Sequence, residues 1–128
     1  RFQYPGIAVQ CADIFELAPA PGSFDYVLLS GALNEVVDAP LQGASDQAGR
    51  YAKAVIRKLY EACRYGVAFN LLDARDTWTR SRPDLQSFMP DDIVSYCRRF
   101  ADTVEWQDGY LDNDFTVYLF KQESGSCT

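Results

Sequence analysis

The hydrophobic positions of this chain change their period several times, and those changes divide it into elements. Ile7 to Cys11 alternates only loosely but carries the β-branched residues of a strand and predicts one. Asp25 to Ser30 is a nearly continuous apolar run, the pattern of a strand covered on both faces. Between them, Ala18-Pro19-Ala20-Pro21-Gly22-Ser23 is turn chemistry that neither a helix nor a strand would cross. From about Gln47 to Arg64, apolar side chains recur at Tyr51, Val55, Leu59 and Cys63 and again at Ala52, Ile56 and Tyr60, the spacing of one helix face. Arg57, Lys58 and Arg64 take the other positions, and Gly66 supplies a stop.

Val67 to Leu72 is a second apolar run, broken only by Asn70, and predicts another interior strand. Asp73-Ala74-Arg75-Asp76 opens a polar connection that continues through Arg82-Pro83-Asp84. Pro90-Asp91-Asp92 then starts a helix, because proline is preorganised for the first turn and acids suit the positive end of the dipole. Ile93, Cys97 and Phe100 are its expected buried face. Val104 to Gln107 and Phe115 to Lys121 read as an antiparallel pair joined through Asp108-Gly109 and Asp112-Asn113-Asp114. The predicted order is β, β, α, β, α, β, β, a single α/β domain over residues 1–128 without internal repeats.

Composition narrows the function classes. Across 128 residues, 48% hydrophobic and 23% charged side chains describe an ordinary globular chain. A net charge of −6 without a basic run gives no footprint for nucleic acid. No stretch approaches the roughly 18 apolar residues of a membrane span, and no signal peptide is recognisable, so the expected compartment is the cytoplasm. The four cysteines, at 11, 63, 97 and 127, are too widely spaced for a zinc or disulfide framework and read as reduced, mostly buried thiols. The chain has no histidine. That removes the usual zinc ligand, the usual general base and every Ser-His-Asp mechanism, so no metal is expected.

The succession strand–acid at Asp13, then FDYVLLSGALNEV, a long helix, GVAFNLL, the PDDIVSYCRRF helix and a closing DFTVYLFK resembles the C-terminal two-thirds of a class I S-adenosylmethionine-dependent methyltransferase. The resemblance is to the small-molecule, bacterial type and covers nearly the whole chain. It implies a partial Rossmann-like sheet with helices on its faces. In that family seven strands lie in the order 3-2-1-4-5-7-6, the last antiparallel. This chain would supply strands 3, 4, 5, 6 and 7, and the strands that carry the glycine-rich loop would lie upstream of Arg1.

The same resemblance assigns roles residue by residue. Asp13 stands where the family places the acid that accepts a hydrogen bond from the adenine amino group, with the backbone of Ile14 beside the ring; its alternative reading is a strand-end or helix-capping aspartate. Ser30 and Gly31 match the loop that passes close to the methionine part of S-adenosylmethionine, or they form a simple turn. Asn34 and Glu35 follow where methyl acceptors lie in the family, although aromatic or histidine residues are frequent there. Asn70 either orients a neighbouring loop or the acceptor, or is a satisfied structural amide. No catalytic base is named. Glu35, Asp73 and Asp76 can each accept a proton, and each also fits a solvated loop acid.

Two function classes follow. In the first, the chain is a methyltransferase fragment with a small-molecule acceptor, too incomplete by itself for tight cofactor binding or catalysis. In the second, it is a non-catalytic α/β domain used for self-association or partner binding. On the family order, Tyr26 to Leu29 would form an unpaired apolar edge. It would be covered either by Ile7 to Cys11 or by the same strand of a second copy, giving a homodimer.

Overall fold

A computed structural model describes residues 6, 7, 10, 14–17, 19–34, 49–109 and 113–122. Nine elements follow in the order α1 (Ile14–Leu17), β1 (Phe24–Leu29), α2 (Arg50–Ala62), β2 (Cys63–Asp73), α3 (Thr77–Ser81), β3 (Ser87–Phe88), α4 (Pro90–Arg98), β4 (Thr103–Gln107) and β5 (Asp114–Phe120). The strands form one open mixed sheet in the order β1-β2-β5-β4, and the two-residue β3 also pairs with β2. β1 and β3 run parallel to β2, whereas β5 is antiparallel to both β2 and β4. The last strand in sequence is therefore inserted between two earlier ones.

Strand alternation determines which side of the sheet is dry. On β2 the odd-numbered Val67, Phe69 and Leu71 are buried, and on β5 so are Phe115, Val117 and Leu119. They meet Ile56 and Leu59 of α2 and Ile93 and Cys97 of α4, forming one core with the helices on a single face. Each large side chain removed from water in this way contributes about 1.5–3 kcal/mol before entropy is counted. The opposite face carries Tyr26, Leu28, Ala68, Asn70, Thr116, Tyr118 and Phe120, which follow by alternation and register. Gly66 lies on that face where no side chain fits: a Cβ would stand 2.9 Å from the Leu119 carbonyl oxygen and 3.0 Å from the Phe120 ring.

Several expectations are corrected. The run at 25–30 is not covered on both faces, for Tyr26 is 64% and Leu28 80% exposed. Helices cover one face of the sheet, not both, among the described residues. Gly66 does not stop α2. The helix passes at once into β2 through Cys63, whose backbone is already extended while its N–H still bonds to helical carbonyls. β2 accordingly begins four residues earlier than the apolar run at Val67. Phe100 lies beyond the end of α4, half-buried against the rings of Tyr60 and Tyr96 rather than on the helix face. Of the strand expected at 7–11, Ile7 and Gln10 are exposed and outside any strand, and the other residues are not among those described. The sheet's fifth strand is instead β3.

Candidate functional site

Three parallel strands, β1, β2 and β3, present their carboxyl ends on one side of the sheet, where open α/β folds hold their ligands. β1 and β3 share one flank of β2, because β5 occupies the other as far as Leu72. β1 stops opposite Phe69 and β3 starts opposite Leu72. The chain leaves β1 at that interval through Ser30 and Gly31.

Asn70 holds this exit in place. Its Oδ1 accepts a hydrogen bond from the Gly31 N–H at 2.7 Å, and its Nδ2 donates to Ser30 Oγ at 3.2 Å. Further along, the Asn34 carbonyl accepts from the Gln86 N–H at 2.9 Å, while Leu33 enters the core. Gly31 has φ +70°, a conformation that glycine adopts without strain, and the space where a Cβ would sit has only Asn34 Nδ2 nearby, at 3.9 Å. Backbone here is open to close approach. Asn34 Oδ1 is buried and has no hydrogen-bond partner among the described residues.

A recess of about 240 Å³ opens beside this loop on the uncovered face, lined by Leu28, Ser30, Ala68, Asn70, Thr116 and Tyr118 among others. Its walls are mainly aliphatic and aromatic, and the Ser30, Thr116 and Tyr118 hydroxyls and the Asn70 amide are its polar groups. The sequence placed Ser30, Gly31 and Asn70 in the site and the structure brings those three together. Asp13 and Glu35 lie outside the described residues; Ile14 falls in α1. Thr116 was not anticipated as part of the recess. Its alternation along β5 was legible, but its juxtaposition with Asn70 depends on a register that links residues 46 positions apart.

Of the three acids named as proton acceptors, the two that are described, Asp73 and Asp76, are engaged elsewhere. Asp73 is buried and takes a bidentate contact from Arg75, with Nη2 at 2.6 Å, and Arg75 also reaches Asp108 at 2.5 Å and lies over the Trp106 ring. Hydrogen bonds from that guanidinium hold the Asp73 carboxyl below the usual carboxylate range. Asp76 caps α3, accepting from Thr79 Oγ1 at 2.6 Å and the Thr79 N–H at 2.9 Å, and these bonds lower its pKa as well. A lowered pKa makes a weaker base. Neither is a solvated loop acid awaiting a proton.

Burial pushes the Cys97 thiol up to about 12 and raises Cys63, so both described cysteines are inert packing groups. Among the described residues, no cluster of three or more Cys, Asp or Glu side chains suits a metal ion, and no helix is long and apolar enough to cross a membrane. No model of a known protein family matches the chain, and no curated protein matches it.

Proposed function

We propose that this chain is the sheet portion of an S-adenosylmethionine-dependent methyltransferase acting on a small molecule, and that Ser30, Gly31 and Asn70 form the methionine side of its cofactor cleft. The observation that carries this reading is the strand order. β1-β2-β5-β4, with β5 antiparallel and inserted before β4, corresponds to 4-5-7-6 in that family. The site at the carboxyl ends of the parallel strands supports the same assignment.

In this reading Gly31 lets backbone pass close to the ligand, and Asn70 keeps that backbone from moving. S-adenosylmethionine, when bound, supplies an electrophilic methyl group on a sulfonium. Ser30, Gly31 and Asn70 would hold its methionine end, and the cofactor would supply that methyl group for in-line displacement from sulfur. Positioning and exclusion of water do most of this work. The engagement of Asp73 and Asp76 favours an acceptor that is already nucleophilic over one that needs a base.

One wall of a cleft binds weakly. Titration of the chain with S-adenosylmethionine to about 10 mM, followed by amide NMR, is expected to shift the Gly31 amide and the Asn70 side-chain amide with a Kd of about 1 mM or weaker. Asn70→Ala should abolish those shifts. No perturbation at Gly31 overturns the cofactor assignment, and saturable binding in the micromolar range overturns the half-cleft.

A further inference from the structure

We draw no further inference here: the strongest candidate, the half-buried Asp114 carboxylate at the start of β5 near the recess on the uncovered face, is a lone acid that does not line that recess, and nothing among the described residues points to a ligand for it.

Discussion

Asn70 shows how one side chain can tie the end of a neighbouring strand in place. It was legible as an anomaly, a polar residue in an apolar run, and burial physics requires such a group to find partners. What could not be read was which partners, since Ser30 and Gly31 are about 40 residues away in sequence. Asn70→Ala is expected to cost about 1 kcal/mol in urea denaturation, the net worth of a lost hydrogen bond with a backbone N–H left to water. Gly66 is the opposite case, a position misread as a helix stop because close approach across a sheet leaves no local mark. Gly66→Ala should destabilise by about 1–3 kcal/mol, as its Cβ forces the Leu119 carbonyl and the Phe120 ring to move. Equal midpoints for Gly66→Ala and the parent would show that this crowding is relieved without cost.

Elements with strong periodicity were legible and the weakly patterned ones were not. α2 and α4 fall where apolar spacing and the Pro90-Asp91-Asp92 start place them, and the terminal pair forms as antiparallel β4 and β5. α3 and β3 hide in the polar connection because each is too short to show a period, and both are held by side chains and neighbours instead. Asp73 is central to that connection. Its carboxyl titrates below the usual value, so the contact with Arg75 stabilises the fold fully above about pH 4 and is lost as pH falls through the lowered folded pKa. Chemical denaturation at stepped pH should show this acid loss, and Asp73→Asn should flatten it at a cost of about 1 kcal/mol near neutrality. Within the core, Ile56→Val, at a fully buried position of α2, is expected to cost about 1 kcal/mol by the same measurement.

At the scale of the molecule, the α/β class and the alternation of strands and helices were legible, while coverage was not. Tyr26 and Leu28 belong to a run that reads as interior, because hydrophobicity records the tendency to be buried and not the neighbour that does the burying. The strand order follows no local rule either, as β5 joins two strands that precede it. That insertion has a consequence for how the chain is made. β4 pairs with β5, and β5 supplies Phe115, Val117 and Leu119 to the centre of the core, so the ladder between β2 and β4 cannot close in the order of synthesis. The central ladder is therefore made of non-local pairings that can be completed only after residue 120 has been synthesised.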